Sequence, residues 1–375
     1  MAPTEDKPKA LKDWFDRDAV RAIADQVAAA STAFERDVFE RRAMRGLTRL
    51  EFGGRVQQIA DALRASLPDD VPRALEILED SLPPILPTTE EVTGGYRQWP
   101  IGQFIADHGL PHLEASFSAM IALTQRFSSE FAVRPFVERR AEETFARLLQ
   151  LTEHESAHVR RWCSEGTRPR LPWGKKLHAL VADPSPIWPI LEALKDDPER
   201  YVQRSVANNL GDIAKDHRAA VVSRCAEWAT PPCSEDRAWL VRHALRVPIK
   251  DGDPGALAIV GFSAPRRLEA SFAVSPARVA LGGEVRLVAR LATTARQAQP
   301  LLVDYVVHYP RKRGETSPKV FKWTTLELPA RGEITLEKRH AMRTTTIRAL
   351  YPGLHRVELQ VNGRRVAEVG FELSV

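Results

Sequence analysis

Between residues 10 and about 250 the apolar positions recur every three or four residues, the spacing that gathers side chains on one face of an α-helix. Val20-Ile23-Val27, Val56-Ile59-Ala60-Leu63 and Leu75-Leu78-Leu82 are the clearest runs. Proline and glycine punctuate them at Gly53-Gly54, Pro83-Pro84, Gly94-Gly95, Pro111, 184–189 and Pro231-Pro232. The pattern predicts helix after helix with short connections. Its second half repeats itself. "HVRRWCSEG" (158–166), "YVQRSVANNLGDI" (201–213) and "WLVRHALR" (239–246) each set an arginine after an apolar residue and before a small or apolar run. Aligned on Arg161, Arg204 and Arg242, they give periods of 43 and 38 residues. That is the length of a paired-helix repeat of the HEAT kind, which stacks into a curved solenoid with a concave inner surface. Arg161 with Glu165, Arg204 with Asn208 and Asp212, and Arg242 with Arg246 stand four apart. Each set is expected to share a helix face, together lining the concavity with a polar stripe.

After residue 265 the period changes from helical to alternating. "EVRLVARL", "LLVDYVVHY", "KVFKWTTLEL", "EITLEKRH" and "HRVELQV" read as β-strands, separated by Gly282-Gly283, Gly314, Gly332, Pro352-Gly353 and Asn362-Gly363. The last pair, flanked by Val361 and Arg364, is a strong hairpin signal. Several short strands in this span predict an immunoglobulin-like β-sandwich. The expected architecture is therefore mainly α: a disordered lead-in at 1–12, a HEAT-like solenoid over 13–250, a Pro- and Gly-rich linker at 251–267, and a sandwich over 268–375.

Composition narrows the setting. A chain of 375 residues exceeds the size at which one core keeps growing, in keeping with two domains. It contains no run of eighteen apolar residues, so no helix is predicted to span a membrane. The charged N-terminus has no apolar stretch behind it to act as a secretory signal. Cys163, Cys225 and Cys233 form no CxxC pair, which suits a reducing cytoplasm and argues against a disulfide framework or thiolate zinc site. The net charge of +5 is unevenly spread. Residues 1–125 hold 14 basic and 20 acidic side chains, 126–178 hold 11 and 7, and 261–375 hold 19 and 10. Segregated positive charge points to a polyanionic partner.

Two constellations offer chemistry. His154-Glu155-Ser156-Ala157-His158 fits H-E-x-x-H, which on a helix would hold zinc between two imidazoles with Glu155 polarising a bound water. Arg161 and Ser164 stand where the longer metzincin pattern needs glycine and histidine. The repeat register also puts this segment at an inter-helix turn with Ser156 as N-cap, which would splay the histidines. The second constellation joins "RFSSEFAVRPF" (126–136), "RRWCSEGTRPRLPW" (160–173) and "YVQRSVANNLGDIAKDH" (201–217). The run "SEGTRPRLPW" (164–173) is long and unusual, and "VANNLGD" (206–212) supports it. Here the chain resembles the AlkC branch of the HEAT-like alkylpurine DNA glycosylases, the AlkC/AlkD superfamily. The resemblance is close over about 120–230 and looser over 1–120, and the sandwich is similar to the immunoglobulin-like domain of one subgroup.

The resemblance implies hydrolysis of the N-glycosidic bond of cationic lesions such as 3-methyladenine and 3-methylcytosine in duplex DNA, leaving an abasic site. It also implies action on a bent duplex without a deep pocket, and none is legible in the sequence. The residue types permit that reaction. An alkylated ring nitrogen makes the base a ready leaving group, so carboxylates need only stabilise an oxocarbenium-like sugar and place a water. Asp212 is the expected carboxylate nearest the sugar, with Glu165 and Glu130 as supporting anions and Trp173 stacking on the nucleotide. Arg168, Arg170, Lys175 and Lys176, in a Pro-broken loop, suit phosphate contacts. So do Arg161, Arg204 and Asn208 on the stripe, and the basic hairpin Arg311-Lys312-Arg313 with Lys319 and Lys322 beside Trp323. With no lysine expected among the carboxylates, water rather than a Schiff base is the predicted nucleophile, in a monofunctional, metal-free monomer without cofactors. A zinc peptidase built on His154, Glu155 and His158, and a non-catalytic repeat scaffold binding DNA or protein, are the alternatives.

Overall fold

The computed structural model describes residues 10–90, 92–312, 314–344 and 349–374. Two compact units divide the chain: Met1–His217 with Ser234–Ala244, and Arg218–Cys233 with Leu245–Val375.

The first unit is a stack of helices. The helix Arg17–Ala30 shows how the sequence builds them: Asp16 caps it by accepting from the amides of Asp18 and Ala19, both at 3.0 Å. Ala19, Val20, Ile23, Ala24 and Val27 then form its buried stripe. The three predicted repeat arginines fall on helices Ala157–Glu165, Arg200–Ile213 and Glu235–Ala244, each packed on the next. Helix Trp188–Leu194 packs against the first two of these from its own layer. This is the paired-helix repeat that the 43- and 38-residue periods predict. Val202, Val206, Leu210 and Ile213 bury the stripe of the middle helix. Its buried Asn209 donates to the Ser164 carbonyl at 2.8 Å, tying it to the preceding repeat.

The first unit begins earlier than expected. Residues 11–14 form a 3₁₀ turn, held by Arg55 donating to the Lys12 carbonyl at 2.8 Å and by a Lys12–Glu51 pair; the rest of the expected lead-in, residues 1–9, lies outside the described residues. The stretch expected to be a linker is also structured. Asp253 caps helix Pro254–Ile259 by accepting from the Ala256 amide at 2.9 Å. Leu257 and Phe262 pack on Leu302 of the sandwich. An Asp-Pro step read as a break is equally a helix start, because proline at the first helical position costs no hydrogen bond.

Among the described residues of the second unit eight strands form two sheets: β1 (Leu268–Ser275), β2 (Arg278–Ala280), β3 (Glu284–Thr293), β4 (Gln299–Pro310), β5 (Thr316–Leu328), β6 (Glu333–Ala341), β7 (Gly353–Val361) and β8 (Arg364–Ser374). Their order is β1-β3-β6 in one sheet and β2-β8-β7-β4-β5 in the other. In β3 the inward residues Val285, Leu287, Ala289 and Leu291 are buried, while Arg286 and Arg290 face out and pair with Glu337 and Glu333 on β6. Trp323 packs with Phe272 and Tyr305 rather than standing among the lysines. Asn362 and Gly363 both have positive φ, 46° and 76°, and Val361 pairs with Arg364 across them, as a two-residue hairpin requires.

Candidate active site

Three carboxylates and two guanidiniums alternate through the interior of the repeat stack. Glu130 lies in the turn before helix Arg134–Arg139, where the Ser128 hydroxyl donates to its Oε2 at 2.9 Å. Arg161, on helix Ala157–Glu165, donates to the same oxygen at 2.6 Å and lies 3.3 Å from Glu165 one turn further on. Arg168, in the loop after that helix, reaches Glu165 at 2.7 Å and Asp212, on the next repeat, at 2.8 Å. Ser205 donates to the other oxygen of Glu165 at 2.6 Å, and Lys215 reaches Asp212 Oδ1 at 2.9 Å.

Burial alone would push the Glu165 carboxyl up. The charges of Arg161 and Arg168, with hydrogen bonds from Ser205 and Arg168, outweigh it and hold the group below its ordinary value. Burial likewise opposes the charge on Arg161 and Arg168, and their carboxylate neighbours overcome it and raise both. Asp212 and Glu165 are almost wholly buried, whereas Lys215 is about half exposed. Arg134, a third buried guanidinium that feels the charges of Glu130 and Asp212, brings the buried cations level with the three carboxylates, so the anions are held in fixed places rather than in excess.

The loop at 166–176 is fixed from beneath by Arg134. Its buried guanidinium donates to the carbonyls of Gly166 (3.2 Å), Arg168 (3.0 Å) and Lys175 (3.0 Å from Nε). Burial pulls this guanidinium down to about 10, still protonated at neutral pH. The loop carries Trp173 at φ 63°, a left-handed conformation that a bulky residue adopts at a cost of about 1–2 kcal/mol, and 76% of the residue is exposed. Its ring lies near-parallel to that of Trp99, with centroids 6.4 Å apart, and Trp99 stacks on Phe131 at 4.7 Å.

Residues 269–375 match the family described as the C-terminal Ig-like domain of the uncharacterised protein YhaZ. The uncharacterised protein YhaZ of Bacillus subtilis (strain 168) is 31% identical over 366 residues, covering 97% of this chain and 99% of its own. The solved structure of the alkylpurine DNA glycosylase AlkC of Pseudomonas fluorescens, bound to DNA containing an abasic site analog, superposes with a TM-score of 0.88. It is 34% identical and covers 98% of this chain and 100% of its own. The chain belongs to the AlkC family.

In this AlkC-family protein the sequence-predicted residues separate into two sets. Asp212, Glu165 and Glu130 converge, as expected, through Arg161 and Arg168. Those two arginines are a correction. Their side chains are only 16% and 10% exposed and are occupied by carboxylates, so they position the anions rather than reach a phosphate. Arg170 pairs with Asp216 at 2.8 Å. Lys175, Lys176 and Arg204 are exposed, and so are Arg311 and Lys312 of the sandwich hairpin; Arg313 lies outside the described residues. The expected common face of Arg204, Asn208 and Asp212 turns from exposed through half-buried, beside His243 at 3.4 Å, to buried. Eight residues at 3.6 per turn rotate a helix face by about 80°. Arg242 and Arg246 do not share a helix, because one ends at Ala244 and the next starts at Arg246.

Lys215 is a second correction, since it joins the carboxylate cluster that was expected to hold no lysine. The H-E-x-x-H reading also fails on geometry. His154 is extended, with Nδ1 accepting from the Ser156 amide at 3.0 Å, and the helix begins only at Ala157. His158 is buried edge-on to Tyr201. Among the described residues no group of three or more His, Cys, Asp or Glu side chains is arranged to hold a metal ion, and no helix is long and apolar enough to cross a membrane. Burial pushes the Cys225 thiol up to about 12 and the Cys163 thiol up as well, as for inert core thiols. Sequence reasoning missed Arg134, Ser205 and Trp99. Arg134 and Ser205 lay inside quoted motifs, but the partners they meet come from distant segments and were not foreseeable; Trp99 lay outside every quoted motif.

Proposed function

We propose that this protein is a DNA glycosylase that hydrolyses the N-glycosidic bond of cationic alkylated bases, 3-methyladenine and 3-methylcytosine, in duplex DNA and leaves an abasic site. Family membership supports the class, since the Pseudomonas fluorescens relative is an alkylpurine DNA glycosylase bound to abasic-site DNA. The observation that carries the reading is the convergence of Glu130, Glu165 and Asp212, each held by fixed partners, next in sequence to an exposed indole held in a strained turn.

The lesion enters already positively charged, so no acid is needed to protonate it. As its bond to C1′ lengthens, positive charge moves onto the sugar. A fixed carboxylate in a low-dielectric site stabilises that charge more than it stabilises the ground state. Asp212 takes this role, with both oxygens held by Arg168 and Lys215 so that no reorganisation accompanies the reaction. Glu130 orients the attacking water and receives its proton, Glu165 holds Arg161 and Arg168 in place beside it, and Trp173 stacks on the nucleotide. Lys215 is engaged by Asp212 at 2.9 Å, and the reading remains monofunctional hydrolysis by water. Lys175, Lys176 and Arg204 contact phosphates, and Arg311 and Lys312 add to them from the sandwich.

The test is to incubate the protein with duplex and single-stranded DNA carrying 3-methyladenine or 3-methylcytosine, with and without EDTA, and to measure the free base. EDTA-resistant release, with no product trapped on the protein by borohydride, is expected. DNA binding without release would reduce the protein to a scaffold.

A further inference from the structure

The helix Arg200–Ile213 meets the row Arg161, Glu165 and Arg168 in a regular order. Its residues Tyr201, Ser205 and Asp212 lie within about 40° of one another around the helix axis. Each faces a different member of the row. The Tyr201 ring lies against Arg161, Ser205 donates to Glu165 at 2.6 Å, and Asp212 accepts from Arg168 at 2.8 Å. The first of these contacts is made by a ring face rather than by a hydrogen bond. It falls on the cation that holds Glu130.

Nη1 of Arg161 donates to the Ser128 hydroxyl at 3.1 Å and to Oε2 of Glu130 at 2.6 Å, and Nη2 lies 3.3 Å from Glu165. Ser128 donates to the same Oε2 at 2.9 Å, so both donors sit on one oxygen of Glu130. A guanidinium free to turn prefers a two-pronged pairing that takes both carboxylate oxygens. The Tyr201 ring opposes that turn. Its centroid is 5.4 Å from the guanidinium carbon of Arg161, within the reach of cation–π attraction. His158 packs edge-on against the same ring at 5.6 Å and steadies it. Burial, with the charges of Glu130 and Glu165, pushes the Tyr201 phenol up against the pull of Arg161, so the ring adds no charge of its own.

We propose that Tyr201 is a positioning residue: its ring face fixes Arg161 against one oxygen of Glu130 and leaves the other to orient the attacking water. The part in excision rests on the glycosylase reading, in which Glu130 is the base; the hold of Tyr201 on Arg161 does not.

Ring and hydroxyl are separated by single-turnover excision of 3-methylcytosine from duplex DNA, with DNA affinity and the unfolding midpoint measured on the same samples. Tyr201→Leu removes the π face. It is expected to slow release about tenfold while affinity stays within about twofold. Tyr201→Phe keeps the face and is expected to recover most of the rate. Should Tyr201→Leu fail to fold, phenylalanines of increasing fluorination at position 201 weaken the π face at nearly constant shape, and release should slow with each step. A wild-type rate in Tyr201→Leu, equal losses in the leucine and phenylalanine variants, or a rate indifferent to fluorination overturns the proposal.

A spectroscopic readout on the full-length protein needs no DNA. The Nε–H proton of Arg161, identified by its loss in Arg161→Lys, is expected to resonate upfield under the ring current of Tyr201. It should stay there in Tyr201→Phe and move downfield in Tyr201→Leu. An unchanged resonance in Tyr201→Leu shows that the ring does not hold Arg161 and ends the proposal. A protein that shows the shift but excises no base loses the glycosylase reading and keeps the hold on Arg161. One that excises at a rate indifferent to residue 201 loses only the positioning role.

Discussion

Arg168 joins Glu165 of one repeat to Asp212 of the next, and it does so while buried. A guanidinium suits this place because its planar fork serves two carboxylates at once and never loses its proton. Removing it leaves two anions short of a partner in a low dielectric, which costs far more than the intact pair contributes. Arg168→Met is therefore expected to destabilise the protein by about 3 kcal/mol in denaturant unfolding, whereas Arg170→Met, at the exposed Asp216 pair, leaves stability nearly unchanged. The acid limb gives the same variant a second readout. The folded pKa of Glu165 lies below its ordinary 4.5, so its contribution is fully present above that value and is lost as pH falls through the lower folded one. Loss of Arg168 raises the folded pKa and moves that loss to higher pH. Equal effects of the two methionine variants would contradict the ranking. None of this pairing was legible in the residues alone. The i,i+4 spacing of Arg161 and Glu165 shows in the sequence, but nothing local announces that residues 168 and 212 meet.

At the scale of the element, the loop at 166–176 is the part whose conformation the sequence left open. Its Pro- and Arg-rich composition marks a loop with phosphate-binding charges, and Lys175 and Lys176 remain exposed as that reading requires. Its shape comes instead from Arg134, on an earlier helix, whose guanidinium collects three of its carbonyls, 32, 34 and 41 residues further on. Arg134→Met removes those donors. We expect a stability loss of about 1–3 kcal/mol, freer collisional quenching of Trp173 and slower base excision. Arg134→Lys recovers only part of this, because an ammonium cannot span the same acceptors. Unchanged quenching and excision in the methionine variant would show that the loop is fixed by other contacts. The strands were more legible than this loop. The alternation of β3 and the Asn362-Gly363 turn follow directly from residue type. The short β2 and the small-residue β1 were not foreseen, because Ala and Ser at alternate positions carry little periodic signal.

For the whole molecule, the repeat period fixed the helical stack and the change of period located the sandwich, since both depend on which positions must leave water. Boundaries between units were harder. Residues 218–233 and 245–250 group with the sandwich, although their helical pattern is indistinguishable from that of the stack. Charge reads best at this scale too: 19 basic against 10 acidic side chains after residue 260 suit a polyanion, whereas Arg161 and Arg168, counted among the basic excess of 126–178, are spent inside. The account depends on one carboxylate acting on the sugar while its neighbours hold it in place. Its most direct test is single-turnover release of 3-methylcytosine from duplex DNA by Asp212→Asn, with DNA affinity measured on the same samples. A fall in release of at least roughly a hundredfold with affinity unchanged within a few-fold is predicted. Release at the wild-type rate would remove Asp212 from the reaction and the central claim with it.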